Sequence, residues 1–412
     1  MSYKILGDYI RKVDTKNKDL KVLNLQGLSM TKEFRKSTSN IVGTDLSKYK
    51  IVKQGQFCCD FMSVIRVHKL PVVLNNLGED VIISPAYVVF EVVDEKLLLP
   101  EYLMLWFRRT EFDRYADFRC DSSIRGGFQW DELCEVELPI PSIKKQRELV
   151  AQYQAVANKI QVNEQICEKL EATAQALYKQ WFVDFEFPNA EGLPYQSSGG
   201  VMVYNEELEK EVPEGWEVKS LGDFIEVTNG YAFKTEDFTD LKALPVLKIS
   251  NVNDFKVDVV NVQYAEIHKK ITKYQINYGD ILITLTGSHK TQINSAVGKV
   301  AIYNYPFPSL LNQRLSKINS NYQSVIYELV RDKGFREYLM NGATGSANQA
   351  NISPDLIKSY KVVYPNKNKL EILNAKFKDI RTFILTTSLT NQKLRQLQSL
   401  LLSRLARLES RN

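Results

Sequence analysis

The sequence is poor in the residues that build metal and disulfide frameworks. Among 412 residues there are five cysteines (Cys58, Cys59, Cys120, Cys134, Cys167) and three histidines (His68, His268, His289). The cysteines lack CxxC spacing and the histidines are scattered, so no structural zinc site is expected, and buried reduced thiols are the simplest reading. No run approaches ~18 apolar residues, and Met1-Ser2-Tyr3-Lys4-Ile5 opens no apolar segment with a cleavage site. Neither a membrane span nor a secretory signal is expected, and a cytoplasmic home is. Catalytic signatures are missing too. There is no Gly-x-x-x-x-Gly-Lys-Ser/Thr phosphate loop, no Asn/Asp-Pro-Pro-Tyr/Phe tetrapeptide of the adenine methyltransferase kind, and no Asp…Glu-x-Lys nuclease cluster. The Gly-rich stretch Gly342-Ala343-Thr344-Gly345-Ser346 precedes Asn348 and Gln349 rather than a strand-helix nucleotide site, so it reads as a binding loop or a turn. The chain is expected to be non-enzymatic, with no cofactor of its own.

What is present is an ordinary soluble composition, 44% hydrophobic and 25% charged, long enough for two or three domains. The net charge of +5 hides a regional split. Residues 184–217 hold nine acids and only Lys210, a local net of −8, which leaves +13 on the rest. Residues 1–70 carry 14 basic and 6 acidic side chains, and residues 367–412 carry 10 and 3. A regional basic excess is what a nucleic-acid footprint requires.

The chain also reads as one unit written twice. A shift of 224 carries Val22-Leu23-Asn24-Leu25 onto Val246-Leu247-Lys248-Ile249, Gly55 onto Gly279, Asp131 onto Asp355 and Pro141 onto Pro365. The opening Leu6-Gly7-Asp8 repeats as Leu221-Gly222-Asp223 at a shift of 215, so the second copy holds about nine extra residues between Gly230 and Leu244. Each copy has a globular part, with β-rich runs such as Val81-Ile82-Ile83 and Ile281-Leu282-Ile283, followed by a long helix. In the first helix Leu149, Tyr153, Val156, Ile160, Cys167, Leu170, Ala174, Leu177 and Trp181 recur in threes and fours. The second has Leu373, Phe377, Ile380, Ile384, Leu394, Leu401, Leu405 and Leu408. Such a sustained repeat is a coiled-coil seam, and the two helices most simply pair with each other. Asn163, Thr387, Asn391 and Gln398 interrupt the seam, a placement that fixes register.

The expected fold is therefore α+β: two similar globular domains separated by two long antiparallel helices in a coiled coil, with pseudo-two-fold symmetry. The boundaries are 1–142 for the first domain, 143–183 for the first helix, 184–217 for an acidic linker, 218–366 for the second domain and 367–412 for the second helix. The 41 residues from Ile143 to Val183 span roughly 60 Å, a ruler longer than one turn of DNA. Two related but non-identical readers at a fixed spacing suit an asymmetric two-part target, and duplex DNA is the common ligand of that kind.

The order of elements and several local runs resemble the DNA specificity subunit of Type I restriction-modification systems. The runs are Glu137-Leu138-Pro139-Ile140-Pro141, Gln146-Arg147-Glu148-Leu149, Trp181-Phe182-Val183-Asp184-Phe185 and Val212-Pro213-Glu214-Gly215-Trp216. The resemblance covers essentially the whole chain. It implies that 1–142 and 218–366 are target recognition domains, each reading half of a bipartite sequence. The helices would then be a spacer and the docking surface for two modification (adenine-N6 methyltransferase) subunits, with restriction subunits joining the larger complex. S-adenosylmethionine, ATP and Mg would belong to those partners. Asn368-Lys369-Leu370-Glu371 departs from the pattern at the second helix start, where Leu370 replaces the glutamine, so strict symmetry of partner contacts is not expected.

Readout chemistry then nominates residues: Arg and Lys for guanine, Asn and Gln for adenine, Ser and Thr more permissively, and Lys and Arg for phosphates. In the first domain these are Lys32, Arg35, Lys36, Arg66, Lys69, Arg119, Ser122, Ser123 and Arg125. In the second they are Ser288, His289, Lys290, Thr291, Gln292, Ser346, Asn348 and Gln349. Asn312-Gln313-Arg314 is either a polar strand end or a reader. The basic C-terminal helix fits DNA between half-sites or a partner's acidic surface. The rival to recognition is a coiled-coil interaction scaffold with no sequence readout of its own.

Overall fold

The computed structural model describes residues 3–37, 43–120, 127–240, 243–288, 295–346 and 349–405. It is a mixed helix and strand protein that divides into two compact units, residues 1–161 with 393–412, and residues 162–392.

In the first unit, strand Tyr3–Ile5 pairs antiparallel with Glu137–Pro139, closing the domain on itself. Between them lies a four-stranded antiparallel sheet in the order Ile10–Val13, Val88–Val92, Phe57–Cys59, Val72–Leu74. Helices α1 (Val64–Val67), α2 (Pro100–Phe107), α3 (Thr110–Phe118) and α4 (Trp130–Cys134) complete it. Pro100 stands at the start of α2, where its missing N–H leaves no helix bond unmade. The α2 sequence Tyr102 to Phe107 is buried throughout, and Phe107 meets the stacked Phe57–Phe90 pair edge-on (ring centroids 5.8 and 6.2 Å).

The second unit repeats this plan. Strand Glu217–Ser220 pairs with Lys361–Tyr364, and a four-stranded sheet runs Glu226–Asn229, Leu315–Asn319, Ile281–Thr284, Val300–Ile302. The shared order gives the sequence repeat a three-dimensional counterpart. It extends to single contacts. A Cβ on Gly7 would lie 2.9 Å from the Cys134 Cβ, and one on Gly222 2.9 Å from the Lys358 Cβ, so each Leu-Gly-Asp turn needs glycine where it packs on a helix. The second unit also holds a five-stranded sheet (Phe238–Thr239, Gln263–Ala265, Leu244–Leu247, Ser309–Leu311, Gln275–Ile276), which enlarges the first unit's pair Lys50–Val52 with Val81–Ile83 and its parallel bridge Leu25 to Ile82. Strand Phe238–Thr239 falls within the extra residues of this copy.

Helix α5 covers Ile143–Tyr178 and widens into a π turn over Lys179–Val183. Helices α6 (Gln323–Arg331), α7 (Lys333–Gly342), α8 (Pro354–Ser359) and α9 (Lys367–Leu405) belong to the second copy. Both long helices start after proline and are capped in the same place, by Ser142 Oγ accepting from Lys145 N (3.4 Å) and Asn366 Oδ1 from Lys369 N (3.0 Å). Gln146 is fully buried: its Oε1 accepts from Leu99 N, and its Nε2 donates to Leu97 O and Pro141 O, each at 2.8 Å. This glutamine is therefore an internal pin rather than a partner contact, which corrects the expectation drawn from its absence in the second copy. There Leu370 is buried in the apolar core, and Asn374 Oδ1, one turn on, accepts from Val325 N at the start of α6 (3.2 Å).

Within the first unit, Leu149, Tyr153, Leu402 and Leu405 of the long helices join the domain core, while Val156, Ile160, Leu394 and Leu401 are half-buried or buried. Within the second, α5 and α9 run antiparallel. Trp181 meets Phe377 (6.1 Å), Cys167 faces the Ile384 carbonyl, and the buried Asn163 Nδ2 donates to Asn391 Oδ1 (2.7 Å). Leu373 is buried there, and Leu170, Leu177 and Ile380 are half-buried. An ionic cluster locks the same helices to α6: Glu171 bonds Arg331 and Arg381, and Glu328, 1% exposed, bonds both arginines and Gln175. Burial opposes the Arg381 charge, yet Tyr327, Glu328 and Glu171 hold its pKa above the ordinary value.

The acidic stretch 184–217 is not a free tether. Phe185, Phe187, Val212 and Trp216 are buried in the core of the second unit, and Trp216 stacks on Phe187 (4.8 Å) and meets Phe182 and Phe185 edge-on (5.8 Å each). Glu206, Glu207, Glu209 and Glu211 are exposed on a packed hairpin, Met202–Asn205 with Lys210–Pro213, while Asp184 and Glu186 are half-buried.

Candidate nucleic-acid interface

In the first unit, Asp60 Oδ1 caps the turn into α1 by accepting from Met62 N and Ser63 N (3.1 and 3.2 Å). Helix α1 ends on His68 in the left-handed conformation (φ 54°), whose Nδ1 lies 2.9 Å from Asp117 Oδ1 near the end of α3. Arg66 and Lys69 are exposed here, and Arg66 also reaches Ser63 Oγ (3.2 Å). The far end of the α3–α4 connection returns to the same place, because Phe128 N donates to Phe61 O (3.1 Å). Gly127 permits that approach: a Cβ there would sit 3.0 Å from the Phe61 oxygen. Arg66, Lys69 and the Gly127–Phe128 end of the α3–α4 connection are thus brought together.

The second unit makes the same closure 224 positions on. Ile352 N donates to Leu285 O (2.8 Å), and Thr286–Gly287, Gln349–Asn351 and Thr344–Ser346 form one small antiparallel sheet. Gly345 (φ 144°) would carry a Cβ 2.0 Å from the Gln349 oxygen, so only glycine fits. Both loops nominated in this copy therefore spring from one sheet. Gln349 is exposed on it, and Ser288 is half-buried, its carbonyl accepting from Ser295 Oγ (2.7 Å). His289, Lys290, Thr291, Gln292 and Asn348 lie outside the described residues, as do Ser122, Ser123, Arg125 and the side chain of Ser346.

Two nominated side chains are already spent inside the protein. Lys32 is 4% exposed; its Nζ lies 2.7 Å from Asp113 Oδ1 and also donates to Phe107 O. Burial lowers its pKa against the pull of Asp113. Sequence reading counted a lysine at a polar turn as a surface cation, and the structure makes it the tie between that turn and the α2–α3 junction. Arg119 is bound by Glu132 and Glu135, and the bond to Glu132 raises its pKa. Arg35 and Lys36 sit exposed on the hairpin Gln26–Leu28 with Phe34–Lys36, where Arg35 Nε also donates to Leu28 O (3.2 Å). Burial raises the Tyr87 pKa, Asp60 adds to this, and Arg35 and Arg66 both oppose it, so these two arginines act on one neighbourhood.

Sequence reading missed a second basic surface. His268, Lys269, Lys270 and Lys273 are all exposed between strands Gln263–Ala265 and Gln275–Ile276. Three lysines within five residues were the available signal. Gln313 and Arg314, left between two readings, are exposed beside the small sheet: Leu285 N donates to Arg314 O (3.0 Å) and Gln313 N to Tyr231 O (2.9 Å).

Among the described residues no group of His, Cys, Asp or Glu is arranged to hold a metal ion, and no helix is long and apolar enough to cross a membrane. Cys58 and Cys59 are fully buried, and burial raises both thiol pKa values, which leaves them unreactive.

Residues 213–399 match the family model described as Type I restriction modification DNA specificity domain. The MjaIX specificity subunit of Methanocaldococcus jannaschii is 33% identical over 162 residues, 38% of this chain and 34% of that protein. The match thus spans about a third of that relative's length. The HindI specificity subunit of Haemophilus influenzae is 23% identical over 389 residues, covering 81% of this chain and 82% of that one. Among solved structures, the S subunit of a Type I restriction-modification system from M. genitalium superposes with a TM-score of 0.54, covering 98% of this chain and 95% of that one. At 11% identity this last likeness speaks for the fold alone. Residues 213–399 thus match a DNA specificity domain, and the chain is similar to type I restriction specificity subunits along most of its length.

Proposed function

We propose that this chain reads a bipartite, asymmetric DNA sequence, one half through each globular domain, and positions methyltransferase and restriction subunits on it. The observation that carries the reading is the repeated closure of two polar loops in each copy, Phe128 N on Phe61 O and Ile352 N on Leu285 O. Each closure brings the described ends of two polar segments together, and in the second copy those ends lie on one small sheet, a support of the kind base recognition needs. Lys69, Arg66, Arg35, Lys36 and Gln349 are the described candidates for DNA contact; Ser122, Ser123, Arg125, Ser288, His289, Lys290, Thr291, Gln292, Ser346 and Asn348 remain candidates from their chemistry in the sequence. Lys32 and Arg119 act as supports.

The long helices serve as spacer and as docking surface for two modification subunits, with restriction subunits in the full complex. Ile372, Phe383 and Leu400, which α9 leaves 60, 53 and 61% exposed, favour a protein partner on that helix. S-adenosylmethionine, ATP and Mg are assigned to the partner subunits, and this chain acts by placing a partner's active site.

The test is a domain exchange. Replacing residues 1–142 with the corresponding domain of another specificity subunit should change one half of the methylated sequence and leave the other half intact, read by sequencing methylated adenines in cells that also carry the modification subunit. An unchanged motif overturns the reading. A scaffold without readout, the rival, predicts no preference among duplexes when binding is measured with the partners present.

A further inference from the structure

The second unit carries a basic track that the two recognition loops do not account for. Residues 261–273 hold Lys269, Lys270, Lys273 and His268 against a single acid, Glu266, and all five side chains are exposed. None of the three lysines forms an ion pair among the described residues, although lysines elsewhere in this unit do, such as Lys317 with Asp280 (3.2 Å) and Lys361 with Glu207 (2.7 Å). The loop is held rigidly from below. Ile271 is 1% exposed in a small core with Val246, Ala265 and Leu310, and His268 O accepts from Ile271 N and Thr272 N (2.9 and 3.2 Å). Lysines on either side of a buried anchor lose little further freedom when they bind an anion.

The track is continuous with the recognition sheet. Lys273 lies over the Tyr274 ring (5.0 Å), Tyr274 packs on Tyr231 (5.4 Å), Tyr231 O accepts from Gln313 N, and the next residue, Arg314, accepts from Leu285 N at the root of the readout loops. The route therefore runs from lysines that form no ion pair among the described residues, through aromatic supports, to the exposed Arg314 beside the small sheet.

Resting on the recognition reading above, we propose that Lys269, Lys270, Lys273 and Arg314 bind DNA backbone phosphates flanking the bases read by the second domain. This surface contributes affinity and register without sequence information. Lysine suits this role because its ammonium is a point charge that phosphate accepts from many directions, whereas base edges select for Arg, Asn and Gln geometry. Part of it, the segment 261–270, sits on the enlarged five-stranded lobe of this copy, so the second half-site is expected to be gripped over a longer stretch of backbone than the first.

The experiment uses the full chain assembled with its modification subunits, and compares wild type with Lys269→Ala/Lys270→Ala/Lys273→Ala on a duplex bearing the methylated motif and on a scrambled one. Three lost phosphate contacts should make the slope of log affinity against log salt shallower by about 2 to 3. The loss should be equal on both duplexes, with the methylated motif unchanged. Because the three side chains are exposed, the thermal midpoint should not move, and Lys256→Ala, another exposed lysine of this unit, serves as a charge control with a smaller slope change. An unchanged slope, or a change in the preferred motif, with wild type still binding selectively, overturns the phosphate track and leaves the recognition reading standing. A wild-type complex that binds both duplexes without preference overturns both.

Discussion

The two copies share a backbone plan but hold their long helices by opposite chemistries. In the first unit α2 presents Leu103, Met104 and Phe107 to the core, and the helix start is pinned by Gln146. At positions 224 further on stand Tyr327, Glu328 and Arg331, and the helix start carries Leu370. One interface is apolar with a polar pin, the other ionic with an apolar pin. A buried ion pair is seldom a gain over good apolar packing, because two desolvation penalties offset the attraction. What the charges add is discrimination: α6 accepts a helix face bearing Glu171 and Arg381 and rejects one bearing Arg395 and Ala157, their counterparts at the 224 shift. Two like domains and two like helices in one chain have alternative pairings to avoid, and unlike anchors exclude them.

The sharpest way to break this contrast is to leave the cluster unbalanced. Arg381→Met leaves Glu171 and Glu328, the latter 1% exposed, sharing Arg331 with one negative charge uncompensated, and should destabilise the second unit by about 3–5 kcal/mol in denaturant unfolding. Removing all four charges together, with Glu328→Met and Arg331→Phe copying the first unit and Glu171→Gln and Arg381→Ala completing the set, should recover most of that loss. If the fourfold variant is as unstable as the single one, the charges contribute stability rather than discrimination.

Next comes the pin. Gln146→Leu installs the second unit's residue in the first and leaves Leu99 N, Leu97 O and Pro141 O without their partner. The expected loss is about 2–3 kcal/mol, confined to the first unit, since buried groups without bonds cost more than the bonds themselves gain. Hydrogen exchange at Leu99 N should rise first. No such loss would mean that the Leu370 solution works in either copy.

A smaller effect is expected at the seam. Asn163 Nδ2 bonds Asn391 Oδ1 where apolar side chains would pack better, so Asn163→Leu/Asn391→Leu should raise the unfolding free energy by on the order of 1 kcal/mol, while either single change lowers it. A double variant less stable than wild type would show that the pair does more than fix register.

Much of the frame was legible in the sequence because it rests on periodicity and on repeated residues. The 224 shift, read from scattered matches such as Gly55 with Gly279, recurs in the structure as paired strands, paired caps and paired loop closures; both glycines have positive φ (82° and 90°). The long helices were readable for the same reason. Side-chain commitment was not. Nothing local distinguishes Lys32, tied to Asp113 81 positions away, from Lys36 four residues later on an open strand. Gln146 gave no hint that it faces inward, because its partners are backbone groups of a distant turn. The acidic stretch 184–217 looked like a tether because charge is visible in sequence and the burial of Phe185, Phe187 and Trp216 beneath it is not.

Lys32 offers the finest test of how a reader-like residue differs from a support. Burial lowers its folded pKa below the ordinary lysine value of 10.5, so between the two values the unfolded chain binds more protons than the folded one. Stability contributed through this group therefore rises with pH across that window, and the desolvation penalty is felt in full only below it. Compared with Lys32→Met, wild type should become relatively more stable as pH climbs toward 10.5 and relatively less so toward neutrality, while buried tyrosines, common to both proteins, cancel in the difference. The same substitution should leave the salt slope of DNA binding where it was, because a side chain 4% exposed and bonded to Asp113 has no phosphate to release. A salt slope that falls by about 1 would return Lys32 to the DNA-contacting face and remove the distinction drawn between it and Lys36.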